Sequence, residues 1–475
     1  MKSNNTYILV GTIGIVLFLT GCGIPTVERR TENTTVPQVY TAQTDTSNVA
    51  SINWRVYFAD SSLVALIDTA LRNNQELNII TQEIAIARNE ISAKEGEYMP
   101  SGKLGLEGGP DKAGKYTWNG FSEEDLSANP DKGPKYVGDF SLRAMISWEL
   151  DVWNKLRNAK DASVKRFLES VEGRNFMVTR LVSEIASSYY ELESLDNQLV
   201  ILKKNIEVQQ SALNVVRQQK EAAKVTELAV NRFEAQLLNT QNLQFEVQQQ
   251  IVEIENRINY LTGRFSSPIP RNDASFFDLK TDSIATGVPS QLLLNRPDIR
   301  QAELEIQASD LDVQSARANF LPSFSITANV GFQSFNPLYL VNPSSVLYNV
   351  FGEIAAPLIN RRAIEAAYYN ANAKQIQAAY KYEQTILNGY VEVLNQISRN
   401  KNYTQSLEMK SKQVDILNRA VVISNSLFQS ARADYAEVLL TQREALDARM
   451  ELIEVKLKQV NAKIGLYAAL GGGWR

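Results

Sequence analysis

Asn319-Phe320-Leu321-Pro322-Ser323-Phe324-Ser325-Ile326-Thr327-Ala328-Asn329-Val330-Gly331-Phe332-Gln333 alternates between apolar and polar side chains after its proline. Phe324, Ile326, Ala328, Val330 and Phe332 fall on one side, and Ser325, Thr327, Asn329 and Gln333 dominate the other. Alternation with period two over this length predicts a strand with one apolar and one polar face. Pro322 discourages helix in the residue before it, so a preceding helix gives way to strand here. The same punctuation stands 222 residues earlier, in Glu97-Tyr98-Met99-Pro100-Ser101. That offset also sets Asn73 against Asn295 and Glu76 against Asp298, ahead of helical stretches of equal length. The chain is one plan written twice.

Working outward, each copy holds a pair of strands. In the first, Leu104 and Leu106 mark one strand, and Phe140, Leu142, Ala144, Ile146, Trp148 and Leu150 mark the apolar face of the other. In the second, Val346, Tyr348, Val350 and Ile354 mark the partner strand. Residues 108–138 and 333–345 are rich in Gly, Pro, Asn and Asp and read as loops.

A long heptad seam follows each strand pair. In copy one it runs Val178, Leu181, Ile185, Ser188, Leu192, Leu195, Leu199, Leu202, Ile206, Gln209, Leu213, Val216. After a break at residues 222–226 it resumes at Val230, Phe233, Leu237, Val247, Ile251, Ile254, Ile258 and Leu261. In copy two, Leu439, Leu446, Ile453, Val460 and Tyr467 recur every seven residues, with Met450, Leu457 and Ile464 between them. No proline occurs in 152–267 or 358–475. Sustained three-four spacing predicts coiled-coil hairpins, and sixty helical residues span ~90 Å. Nothing on the seams needs more than core packing.

Strands of ~10 residues with one apolar face suit a transmembrane β-barrel. Four strands cannot close one, and open edges cannot face lipid. Several chains must contribute. The pattern therefore asks for an α+β membrane protein: a shared transmembrane β-barrel, four strands per protomer, continuing into a long α-helical coiled-coil tunnel.

The N-terminus sets the compartment. A short polar start is followed by an apolar run over residues 7–19, ending in Leu19-Thr20-Gly21-Cys22. A short apolar core before small residues is a secretory signal, not a membrane span. Its last four residues resemble a bacterial lipobox, which implies cleavage before Cys22 and covalent lipid on it. Cys22 is the one cysteine of the chain, so an intramolecular disulfide is excluded. An ordinary signal with a chance cysteine is the alternative. Gly23 is not the Asp that resembles an inner-membrane retention signal, which favours the outer membrane. The expected layout is 1–21 signal peptide, 22–53 lipidated N-terminal segment, 54–265 first repeat, 266–288 linker and 289–475 second repeat.

Composition excludes other classes. The 475 residues carry a formal charge of −4 and no histidine. Lys and Arg are scattered, which argues against a nucleic-acid partner. The missing histidine removes the commonest general base and most zinc sites. No nucleotide loop or catalytic signature is present. We expect no enzyme activity, no metal site, and no cofactor beyond the lipid.

Five motifs carry a family resemblance: Ser147-Trp148-Glu149-Leu150-Asp151-Val152-Trp153, Val288-Pro289-Ser290-Gln291-Leu292-Leu293, Arg296-Pro297-Asp298-Ile299-Arg300-Gln301-Ala302-Glu303, Phe320-Leu321-Pro322-Ser323 and Ala469-Leu470-Gly471-Gly472-Gly473-Trp474. In this order behind a lipobox, they resemble the TolC-like outer-membrane factors, and within them the lipoprotein channels of resistance-nodulation-division efflux pumps. The resemblance implies a homotrimer with a twelve-stranded barrel in outer-membrane lipid. It also implies a periplasmic tunnel opened by an adaptor and an inner-membrane pump. An exit duct for a metal-ion exporter or a protein secretion system is the alternative, although six scattered methionines offer little to soft metal ions.

The resemblance implies an acidic pore ring within Ala431-Arg432-Ala433-Asp434-Tyr435-Ala436-Glu437-Val438-Leu439-Leu440-Thr441-Gln442. Glu437 matches a gate acid and Asp434 is a neighbouring candidate, with Arg432 placed to pair with either. Both acids also suit a helix start. Glu227 follows the corresponding turn of the first copy. Leu440 replaces an acid common in the family, and Ala431 replaces a turn glycine. Pro297 fits a first helical position, with Asp298 and Glu303 near the positive helix end. Trp118, Trp148 and Trp153 invite an aromatic-belt reading, with ordinary packing at the strand-helix junction the alternative for Trp153, and residues 471–473 are expected to end the last helix.

Overall fold

A computed structural model describes residues 24–40, 47–111, 137–271, 276–278, 285–357, 359–430 and 432–474. Cys22, the signal segment, Trp118 and Ala431 lie outside them. The chain forms two compact units. One takes Ala85–Leu168 and Leu304–Tyr380 with residues up to Thr31, and the other takes Glu32–Ile84, Glu169–Glu303 and Lys381–Arg475.

The first unit holds the sheet. Strands β1 (Ser101–Asp111), β2 (Val137–Leu150), β3 (Ser323–Ser334) and β4 (Val346–Ala355) pair antiparallel in the order β1-β2-β3-β4. The strands extend past the expected loop bounds: residues 108–111, 137–138, 333 and 334 are in the ladder. Glycines and polar residues that read as loop are held there by cross-strand pairing, which a one-dimensional pattern does not see. Leu106↔Leu142↔Phe332↔Val346 and Leu104↔Ala144↔Val330↔Tyr348 form continuous rows across all four strands. Register thus keeps the apolar set on one face.

Proline marks each passage from helix into the sheet. Helix α3 (Gln75–Tyr98) ends two residues before Pro100, and β1 starts just after it. The helix preceding β3, Pro297–Ala318, ends ahead of Pro322 in the same way. Trp148 Nε1 donates to Tyr98 O at 3.0 Å and Trp153 Nε1 to Pro322 O at 2.7 Å. Both indoles therefore fasten the helix-strand corners.

Extended residues from Ile24 onward lie on the same unit. Ile24 and Val27 pack on Val313, Phe320 and Tyr368. Asn372 Nδ2 donates to Glu28 O at 3.0 Å, Gln375 Nε2 to Arg30 O at 2.8 Å, and the Arg30 guanidinium sits 4.0 Å from the Tyr380 ring centroid.

The second unit is helical. It contains α1 (Trp54–Phe58), α2 (Ser61–Asn73), most of α4 (Lys155–Glu221), α5 (Glu227–Leu261), the single turn α6 (Leu292–Asn295), the start of α7 (Pro297–Ala318), most of α8 (Arg362–Gln429) and α9 (Tyr435–Ala469). The 67 and 68 residues of α4 and α8 each span roughly 100 Å at 1.5 Å per residue. The seam residues are the core: Leu181, Ile185, Leu192, Leu202, Leu213, Phe233, Ile258, Leu446, Ile453 and Tyr467 are all buried. Glu303 lies beyond the first turn of α7, so Asp298 alone is the acid at that helix start. Among the described residues, no helix is long and apolar enough to cross a membrane.

Candidate functional site

The sheet presents two chemically different faces. The apolar one is bare: Leu104, Leu106, Ile146, Val330, Val346, Tyr348, Val350 and Ile354 are exposed. The other carries Lys103, Glu107, Arg143, Asp139, Asn329, Gln333 and Asn349. Arg143 pairs with Glu107, Asn329 Nδ2 donates to Asn349 Oδ1 at 2.7 Å, and Gln333 Nε2 donates to Asp139 Oδ1 at 2.8 Å. Strands β1 and β4 are edges, each with one side of its backbone unpaired by the sheet. An exposed apolar face suits lipid, and a hydrogen-bonded polar face suits water. Open edges suit neither, because unpaired N–H and C=O groups are costly in hydrocarbon.

The helical tips repeat one backbone design. At the end of α4, Lys224 N donates to Gln219 O at 2.9 Å, and Ala223 takes φ 56°. At the end of α8, Arg432 N donates to Leu427 O at 2.8 Å, the same six-to-one closure 208 residues later. Such a turn wants a left-handed residue, normally glycine. Phe428, Tyr435 and Leu439 of the second tip pack on Leu213, Val216, Val230, Phe233 and Leu237 of the first hairpin.

Asp434 is the N-cap of α9 (φ −79°, ψ 152°), yet its carboxylate makes no capping hydrogen bond. Glu437 stands in the first turn, and both acids and Arg432 are solvent-exposed. Among the described residues, no ion pair within 4.0 Å joins Arg432 to either acid. In the first repeat the turn is instead spanned by a Lys220–Glu227 ion pair.

At the opposite ends of the hairpins lies a site that the sequence marks only as a motif. Arg296 is buried. Its Nε and Nη2 reach Asp298 at 3.0 and 2.7 Å, and Nη1 reaches Glu392 Oε2 at 2.7 Å and Ala469 O at 2.8 Å. Gly389 lies against the guanidinium, where a Cβ would come within 3.1 Å. Burial opposes the charge, but the Asp298 and Glu392 carboxylates outweigh it and raise the pKa of Arg296. Its counterpart at the repeat offset is Asn74, also buried. Asn74 Nδ2 donates to Leu261 O at 2.9 Å while its Oδ1 accepts from Leu77 N at 2.9 Å. Extending the 222-residue alignment one position beyond Asn73 and Asn295 points to this pair.

A further repeat comparison concerns helix faces. On α5, Leu238, Phe245 and Val252 are 59, 67 and 48 % exposed; 208 residues on, Leu446, Ile453 and Val460 of α9 are 2, 0 and 6 % exposed. Leu446 is covered by Leu195, Leu202 and Val247 of the first hairpin. Among the described residues, the α5 stripe has no such cover.

An amphipathic sheet with two open edges, built into a duplicated pair of coiled-coil hairpins, defines a protein whose channel wall is assembled from several copies. Comparison with known proteins agrees. The Outer membrane efflux protein family profile matches residues 66–264 and 288–472, and the chain belongs to that family. It is similar to the Cation efflux system protein CusC of Escherichia coli (strain K12), at 26% identity over 97% of this chain and 98% of CusC. The Toluene efflux pump outer membrane protein TtgI of Pseudomonas putida is 25% identical over 92% of this chain and 91% of its own. The fold is shared with the CusC crystal structure (TM-score 0.82, 24% identity, 94% of this chain and 99% of that one). It is also shared with the Campylobacter jejuni CmeC outer membrane channel (TM-score 0.83, 20% identity, 94% of each chain).

Proposed function

We propose that three copies of this chain form the outer-membrane exit duct of a tripartite efflux pump, passing small molecules from a periplasmic adaptor and inner-membrane transporter to the exterior. The observation that carries this reading is the four-stranded sheet, apolar on one face and open at both edges. Three sheets joined edge to edge give a twelve-stranded barrel with no free edge, lipid outside and the Arg143–Glu107 face toward water. The bare α5 stripe supports the same assembly: its counterpart on α9 is covered by the other hairpin of the chain, and a neighbouring copy can cover it in the same way.

Lipid on Cys22 anchors the mature chain, and the layout 22–53, 54–265, 266–288 and 289–475 describes its parts. Glu437, with Asp434 beside it, rings the pore at the tips. A threefold set of carboxylates focuses negative potential and favours cations at the narrowest point, and Arg432 holds the closed state by pairing with an acid of a neighbouring copy. A duct serving a cation exporter is a second reading, favoured by the similarity to CusC over nearly the whole chain.

The purified protein in a planar bilayer is expected to conduct, and Glu437→Ala to raise conductance and weaken cation selectivity. An electrically silent, monomeric protein overturns the duct. Unchanged selectivity removes Glu437 from the gate. Mass spectrometry of the N-terminal peptide tests the lipid on Cys22.

A further inference from the structure

A cavity of about 560 Å³ lies where β2, β3 and β4 meet the helices, wholly within the first unit. Small side chains leave it open. Ala318 ends α7, Ala355 ends β4, and Ala363 and Ala367 stand on the first two turns of α8; Leu321 and Trp153 add larger apolar surface. An unfilled apolar space forfeits the contacts that its lining would otherwise make. The charges at the rim are already answered. Lys155 pairs with Glu149, and the Asp151 carboxylate accepts from Leu156 N and Arg157 N, each at 2.9 Å. The cavity therefore suits hydrocarbon better than an ionic headgroup.

The extended N-terminal residues lead toward it. They run along α8: Arg30 meets Gln375 and Tyr380, Glu28 meets Asn372, and Ile24 and Val27 pack on Val313, Phe320 and Tyr368. Lower numbers thus lie nearer the start of α8. The pace is that of an extended chain beside a helix, roughly 3.3 Å per residue against 1.5 Å. Ile364 belongs to the cluster that holds Ile24, and it also lines the cavity. Two residues before Ile24, at the same pace, the chain is about 7 Å further on, level with the cavity wall.

We propose that one acyl chain carried by Cys22 lies in this cavity instead of in the bilayer. The inference rests on the reading of Cys22 as the lipidated residue. A chain tethered at the mouth has a high effective concentration there, which a free membrane lipid lacks. Seating it fixes the height of the anchor against the strand ends, and further chains on the same residue remain free for the membrane.

The test uses the full chain in membranes of cells fed a fatty acid that bears a photoactivatable diazirine. After irradiation and digestion, the mass of the N-terminal peptide reports the lipid on Cys22. That peptide is expected to be joined through its acyl chain to peptides holding Leu321 or Ala363 and Ala367. Ala363→Leu and Ala367→Leu take up room in the cavity, and each is expected to cut these cross-links several-fold without removing the lipid. Ala367→Ser, of nearly unchanged size, should keep them. Circular dichroism confirms that the helices of each variant are folded. A lipidated Cys22 joined only to membrane-facing residues such as Tyr348 and Val350 overturns the proposal, as do cross-links that both Leu variants leave unchanged. Cavity peptides joined to free phospholipid alone assign the space to the bilayer and overturn it too. A Cys22 without lipid sinks the underlying reading instead, and the peptide mass alone reveals it.

Discussion

The two repeats give the backbone of their hairpins the same ending and then diverge in what holds it. At the end of α5, Gly263 (φ 66°) follows the helix, and Arg264 N closes on Asn259 O at 3.0 Å; at the end of α9, Gly471 (φ 90°) follows, and Gly472 N closes on Tyr467 O at 3.0 Å. A Cβ on Gly263 would stand 2.3 Å from Asn73 O, and one on Gly471 would stand 2.5 Å from Asn295 O. Both positions are thus closed to any other residue by the carbonyl beneath them as well as by their φ. The last helical carbonyl is then met by Asn74 in one repeat and by Arg296 in the other. Repetition constrains the backbone closure. The donor can be a small neutral amide or a buried cation, provided the rest of the site is built for it. Gly389 leaves room for the guanidinium and Asp298 answers its charge, whereas Leu181 occupies the place of Gly389 in the first repeat.

The strongest way to break the comparison is to charge the same face in each repeat. Ile453→Asp buries a carboxylate in a filled core and is expected to cost roughly 4–5 kcal/mol or more, seen as loss of helical circular dichroism. Phe245→Asp, at the matching position on α5, is expected to leave the helices folded and abolish the oligomer in native mass spectra. If both variants lose helix together, the α5 face is not an assembly surface.

A smaller effect separates the two carbonyl donors. Arg296→Ala strands Asp298 in a buried site and is expected to cost about 3–5 kcal/mol. Asn74→Ala removes a cap and one buried partner, for about 1–2 kcal/mol. The apparent melting temperatures of the detergent-solubilised variants order the two. Equal losses would mean that the ionic hub adds nothing to the shared closure.

The smallest change concerns the tips. Ala223 bears the steric penalty of a left-handed turn at φ 56°, about 1–2 kcal/mol. Ala223→Gly relieves it at some entropic cost, so a gain of about 0.5–1 kcal/mol is expected, read as a small rise in melting temperature. A loss would show that the alanine methyl is held by packing.

Much of this is legible in one dimension because strands and helices impose short periods on their sequences. The apolar rows of the sheet follow from alternation, the hairpins from heptads, and the duplication from Pro100 and Pro322. Asn74 escapes such a reading because a buried asparagine leaves no periodic mark. The depth of Arg296 escapes it because a charged residue after a turn reads as solvent-facing until its partners from α7, α8 and α9 are in place. The strand ends read short for a related reason: glycines at 108 and 109 look like loop until the facing strand supplies their hydrogen bonds.

Element types, the duplication and the two-faced character of the strands are written in the sequence, since each is a local property repeated along the chain. Which faces are covered, α9 but not α5, and that one carbonyl meets an amide and its twin a guanidinium, are settled only once the helices are packed. Those are facts about neighbours distant in sequence, and periodicity carries no information on which surfaces meet.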